Sequence, residues 1–189
     1  SRKMRFGIRP HHGRRWWVGI TAAILSGVVI AAALPGGHEL RVAAVRPAAR
    51  PLLMLPLKPG EPFVLHYYHS VENAPIWETH SVDDSGAIFV EEERYLKLGA
   101  GMGHFPGEGR LVQRGPYEAI EAMHRPTGDF ILRVGAAGVD HTVLWRDRAF
   151  HLSDVAAHQA VRFSARPVSK LRCDWLQLFW RGEAISRKE

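Results

Sequence analysis

The chain has one cysteine, Cys173, among 189 residues. An internal disulfide is therefore excluded. No Cys/His spacing for a structural zinc exists. The sequence also lacks a Gly-x-Ser-x-Gly elbow, which removes the commonest serine-hydrolase arrangement. No internal repeat is visible. No acidic residue lies in the first fifteen, where Arg2, Lys3, Arg5, Arg9, Arg14 and Arg15 stand. These six cations account for the whole net charge of +6, and the rest of the chain carries 19 basic and 19 acidic residues. The high pI belongs to this arm, so a nucleic-acid partner loses its main support.

Charge is also missing from Trp16 to Leu34, nineteen apolar or small residues in a row. As a helix this run reaches about 28 Å, close to the ~30 Å hydrocarbon core of a bilayer. Trp16 and Trp17 stand at its start, where indole rings favour the headgroup region. Lys and Arg in a short flanking loop stay cytoplasmic. The sequence therefore predicts a single-pass anchor in a bacterial inner membrane, with the lipid bilayer as a partner and the C-terminal part in the periplasm. Ala31-Ala32-Ala33 is also a small-residue cleavage pattern, so a cleaved signal segment is the alternative. An exported part of roughly 130 to 150 residues is large enough to build a core without disulfides.

Pro35-Gly36-Gly37 ends the helix. Two short extended segments follow, Glu39 to Val45 and Leu52 to Leu57, the second expected at a sheet edge because of its prolines. Phe63 to Val71 alternates with period two and is rich in aromatic and β-branched residues, the pattern of a strand. Glu72-Asn73-Ala74-Pro75 is a turn signal, as is Asp83-Asp84-Ser85-Gly86. Strands over Ile76 to Val82 and Ala87 to Leu96 complete a three-stranded meander. Further strands are expected over Tyr117 to His124, Phe130 to Val134, Val139 to Trp145 and Val161 to Ala165. Leu152 to Ala157 reads as one helical turn capped by Ser153. Leu171 to Phe179 fits either a strand or an amphipathic helix suited to a membrane surface or a partner.

The meander places chemistry together. If Val71 pairs with Ile76, then His69 opposes Glu78, Tyr67 opposes His80 and Leu65 opposes Val82, all on the apolar face. Val82 opposite Ile88 sets Val90 beside His80 and Glu92 beside Glu78; a slip of one residue substitutes Glu91 or Glu93. His69, Glu78 and Glu92, with His80 nearby, then form a cluster on a buried face. Three readings stay open: an inert buried ion pair, a ligand or metal site, and acid–base machinery with one carboxylate raised by the other. Ser70 and His69 face opposite sides of a strand, which excludes a Ser–His pair. Gly99, Gly101 and Gly103 mark a loop that reverses the chain or covers the site. No helical pattern follows them, so a phosphate loop is not indicated.

The stretch Phe63 to Gly103 resembles a bacterial family known only as domain of unknown function 1850. The matching pieces are Tyr67-Tyr68-His69-Ser70-Val71-Glu72, Pro75 with Glu78 after it, and Gly99-Ala100-Gly101. Leu132-Arg133-Val134-Gly135 and Leu152-Ser153-Asp154 look like the family's second half. Met102-Gly103-His104-Phe105-Pro106 departs from its pattern. The resemblance implies small exported or single-pass proteins encoded beside TRAP-type transporters of the TAXI class, hence an accessory role toward a permease or solute-binding protein. It brings no catalytic or binding residues with it.

The expected fold class is mainly β, a small antiparallel β-sandwich or barrel preceded by one N-terminal transmembrane helix. The expected units are a basic arm (1–15), an anchor (16–34), a Pro-rich connection (35–61) and an exported β-domain (62–189). The expected function is non-enzymatic: an accessory or assembly subunit of a membrane complex, with no cofactor. A periplasmic ligand- or metal-binding domain is the alternative, and a hydrolase with Glu78 or Glu92 as base is the third.

Overall fold

The computed structural model describes residues 13–47, 49–96, 107 and 109–186. The chain is mainly β, and every strand pairing is antiparallel. A helix α1 (Gly13–Ala33) comes first, followed directly by strand β1 (Pro35–Ala44). Strands β2 (Pro51–Leu57), β3 (Phe63–Tyr68), β4 (Pro75–Val82) and β5 (Ile88–Tyr95) follow. Next come β6 (Arg110–Arg114), β7 (Tyr117–Glu121), the two-residue β8 (Arg125–Pro126), β9 (Phe130–Arg133), β10 (Thr142–Trp145) and β11 (Arg148–His151). A short helix α2 (Leu152–Ala156), strand β12 (Ala160–Ser169) and helix α3 (Lys170–Ser186) close the fold.

One sheet has the order β2-β1-β12-β9; the other runs β11-β10-β3-β4-β5-β7-β6, with β8 attached to β5. Alternating side chains of both sheets meet in one core. Leu40, Val42, Leu55 and Phe163 come from the first sheet, and Phe63, Leu65, Val82 and Val143 from the second. The proline-bearing β2 lies at an edge, as expected for a strand short of amide donors.

The meander β3-β4-β5 is present, and Val82 does pair with Ile88. Asp83 shapes that turn: its Oδ1 accepts hydrogen bonds from the Ser85 and Ala87 amides, while Gly86 takes φ +91°. The first turn corrects the sequence reading. β3 stops at Tyr68, and His69 begins a loop in which its Nδ1 accepts from the amides of Val71 (3.4 Å) and Glu72 (3.2 Å). The longer loop moves β4 along β3, so that Phe63, and not Tyr67, opposes His80. The displacement is even, so each side chain keeps its face.

Other differences are local. Ser153 does not cap α2; the capping position is His151, without a side-chain bond. The Ser153 hydroxyl instead donates to the Gly135 carbonyl and accepts the His141 amide, both at 3.0 Å. Leu171 to Phe179 is helical, inside α3. The glycine loop with Gly99, Gly101 and Gly103 lies outside the described residues. Among the described residues no helix is long and apolar enough to cross a membrane, so the crossing stays a reading of the run Trp16–Leu34.

Candidate functional site

The inward face of the larger sheet carries a row of polar groups between two apolar clusters. Register sets them side by side: Leu65 opposes Glu78, and Glu78 opposes Glu93. Glu92 is displaced because the ladder bulges between Thr79 and His80, where Val90 pairs with His80 and Glu92 with Thr79. An extra residue in one strand reverses the facing of everything beyond it. Glu92 therefore shares the outer face with Thr79, and Glu93 takes the inward place expected of Glu92. Glu91, the extra residue, accepts from the Ser81 hydroxyl at 2.6 Å and contacts His124.

Around the two carboxylates the partners are specific. The Tyr67 hydroxyl donates to Glu78 Oε1 at 2.7 Å. His80 Nε2 lies 3.4 Å from Glu78 Oε2. That is ion-pair distance but not a well-formed hydrogen bond, and both ring nitrogens of His80 lack a hydrogen-bond partner. Arg125, brought in by the short pairing of β8 with β5, donates to Glu93 Oε1 at 2.8 Å. The His80 ring is 2% exposed and stacks between Phe63 (5.1 Å) on its own sheet and Phe130 (5.4 Å) on the other. His141 stacks on Tyr67 at 5.0 Å and accepts the Gly135 amide.

Burial and partners push the two carboxyls apart. Burial alone would raise Glu78; the close approach of the His80 ring, the hydrogen bond from Tyr67 and the charge of Arg125 outweigh it and hold Glu78 below the usual carboxylate range. Glu93 is raised, first by burial and then by the charge of Glu78, with Arg125 offsetting only part. Burial, reinforced by Glu78, pushes the Tyr67 phenol well above its ordinary value, so Tyr67 stays a donor. Burial lowers His141 and keeps it neutral near neutral pH. A low and a raised carboxyl side by side can hold and pass a proton.

Of the residues singled out by sequence, Glu78 and His80 belong to this cluster. His69 sits in the loop after β3, and Glu92 lies on the outer face. Trp16, Trp17 and Leu34 are exposed at the two ends of α1. Glu93 enters the sequence reading only as the product of a one-residue slip, and Tyr67, Arg125 and His141 are not singled out there as site residues. Only one signal could have pointed to Arg125: two inward carboxylates require a compensating cation. Among the described residues no three His, Cys, Asp or Glu side chains converge as metal ligands.

The outer face of the same sheet carries a second polar group. Asp140 Oδ1 (2.9 Å) and Thr142 Oγ1 (3.0 Å) both meet His151 at Nδ1. A relay needs the carboxylate and the hydroxyl on opposite ring nitrogens. This arrangement therefore does not activate Thr142 as a nucleophile. The hydrogen bond from His151 holds Asp140 below the usual range.

No curated protein and no solved structure matches the chain. Residues 63–152, which run from β3 through β11 and include the whole larger sheet with its Glu78–Glu93 row, match the model of the family described as Domain of unknown function (DUF1850), and this match supports placing that stretch in the family.

Proposed function

We propose that the chain is a membrane-tethered, non-enzymatic head on the periplasmic side of a bacterial inner membrane. It works as an accessory or assembly subunit of a membrane protein complex, with a TAXI-type TRAP transporter first among the candidates. The observation that carries this reading is α1. Ile20, Ile24, Leu25, Val29 and Ile30 all stand exposed along it, between 47% and 66%. Such a row needs lipid or partner helices around it. The cationic arm before it favours a cytoplasmic N-terminus. The non-enzymatic reading is supported by the shared Nδ1 contact at His151, which leaves Thr142 unactivated. Gentle solubilisation of the tagged full-length chain is expected to bring transporter subunits with it. Recovery of the chain alone contradicts the accessory role.

A second reading has its own observation. Glu78 and Glu93 shift in opposite directions, and the buried His80 Nδ1 has no partner. These groups suit a periplasmic domain binding a small polar ligand; a cation requires them to move together, since no three of the described donors converge. On this reading, adding calcium, manganese or zinc to the full-length chain raises its melting temperature through binding to the folded state. An unchanged melting temperature with all three removes the cation form of it.

A further inference from the structure

Helix α3 has two apolar stripes. At 100° per residue, Cys173, Leu176 and Trp180 fall on one side and pack toward the head; Cys173 and Leu176 are at most 3% exposed. Leu171, Trp175, Leu178 and Phe179 fall on nearly the opposite side, at the i, i+4, i+7, i+8 spacing of an amphipathic helix. They are 46%, 50%, 66% and 47% exposed. Trp175 and Phe179 stack at 5.9 Å, and the Arg172 guanidinium lies over Trp175 at 4.8 Å. A groove of about 300 Å³ opens beside them toward β2, lined by Leu52, Met54, Trp175 and Phe179 among others.

The position of the stripe says what covers it. The Lys170 amide at the start of α3 donates to the Leu34 carbonyl at the end of α1, at 2.8 Å. Gly36 lies so close that a Cβ there would sit 2.4 Å from the Lys170 Cα. The exposed apolar surface of α3 thus begins one residue from the point where α1 ends. If α1 crosses the bilayer, the first turn of α3 is at the lipid surface.

We propose that the Leu171–Trp175–Leu178–Phe179 face of α3 lies in the interfacial layer of the bilayer and holds the head down on the membrane. This inference rests on the anchor reading above. An aromatic and leucine stripe bordered by cationic side chains is the composition of helices that lie in the membrane plane. Lys170, Arg172 and Arg181 supply those cations, two of them also paired, with Asp174 and Glu39. The groove beside the stripe gives an acyl chain an apolar wall.

Three labels, each at one introduced cysteine of the full-length chain, test it. The chain is reconstituted in vesicles of phosphatidylethanolamine and phosphatidylglycerol, and a polarity-sensitive fluorophore is placed at Val28→Cys, Leu178→Cys or Gln159→Cys. Wild type serves as the blank, because its own Cys173 is buried. Gln159 precedes β12, whose ten residues place it about 33 Å from the start of α3. Nitroxide-bearing lipids are expected to quench most of the Val28 and Leu178 signals, Leu178 from a shallow depth, and to leave Gln159 unquenched. Lipid quenching at Val28 without quenching at Leu178 overturns the α3 inference while leaving the anchor standing. No quenching at either position overturns both. A Leu178 label shielded from lipid and from aqueous quencher alike shows that protein covers the stripe, and this also overturns the proposal.

Discussion

Phe163→Ala is expected to cost the head about 3–5 kcal/mol, the range for removing a fully buried phenyl ring. In a domain of this size that lowers the melting temperature by on the order of 10 °C. Phe163 is completely buried in β12 and stacks on Phe130 at 4.6 Å and on Phe63 at 6.4 Å. Phe130 in turn stacks on His80. The ring therefore supports both the packing of sheet on sheet and the cage around the histidine. Thermal unfolding followed by circular dichroism measures the cost. A loss below about 1 kcal/mol, typical of a surface substitution, contradicts the shared core.

Arg125→Ala has the second large effect, and its pH dependence carries the information. Glu78 and Glu93 face each other directly across the β4–β5 ladder. Like charges so placed repel, and Arg125 is the nearby cation that offsets them. Arg125 is 42% exposed, so the loss near neutral pH is expected at about 1–2 kcal/mol, below that of a fully buried pair.

The sign follows from which state binds more protons. Glu93 has a folded pKa above its ordinary 4.5. Its neutral form is favoured on folding, so its contribution is complete below 4.5 and is lost as pH rises through the folded value. Glu78 has a folded pKa below 4.5. Its contribution is present above 4.5 and is lost as pH falls through the folded value. Removing Arg125 raises Glu93 further and adds to the loss on the neutral side. Urea unfolding near pH 4.5 and near neutrality is expected to show a cost that grows with pH. Adding Glu93→Gln is expected to restore most of the loss. An equal cost at both pH values contradicts the electrostatic account of this row.

The legible part of the fold was the part encoded by alternation. Phe63, Leu65 and Tyr67 against Val64 and His66 gave strand and face, and the tight turn at Asp83 to Gly86 gave the Val82–Ile88 pairing. Alternation survives an even slip, so the inward facing of Glu78 and His80 was read correctly although the β3–β4 register was not. The register depended on the His69 ring accepting two amides of its own loop, a local bond with no periodic signature. The bulge was hidden for a different reason. Glu91, Glu92 and Glu93 are the same residue type, so nothing in their order tells which one faces inward. Arg125 enters from a two-residue strand more than thirty residues along the chain, too short to leave a pattern. For α3, Leu171, Cys173 and Trp175 alternate while Leu171, Trp175 and Leu178 recur at helical spacing. Both patterns occur because the helix carries apolar residues on two sides.

The membrane-tethered orientation is the claim on which the functional reading stands. Treating intact spheroplasts of cells making full-length Gln159→Cys with a membrane-impermeant maleimide tests it most directly. The account predicts complete labelling before lysis, because Gln159 is exposed at the end of the head far from α1. Labelling that appears only after the membrane is broken places the head in the cytoplasm and contradicts the account.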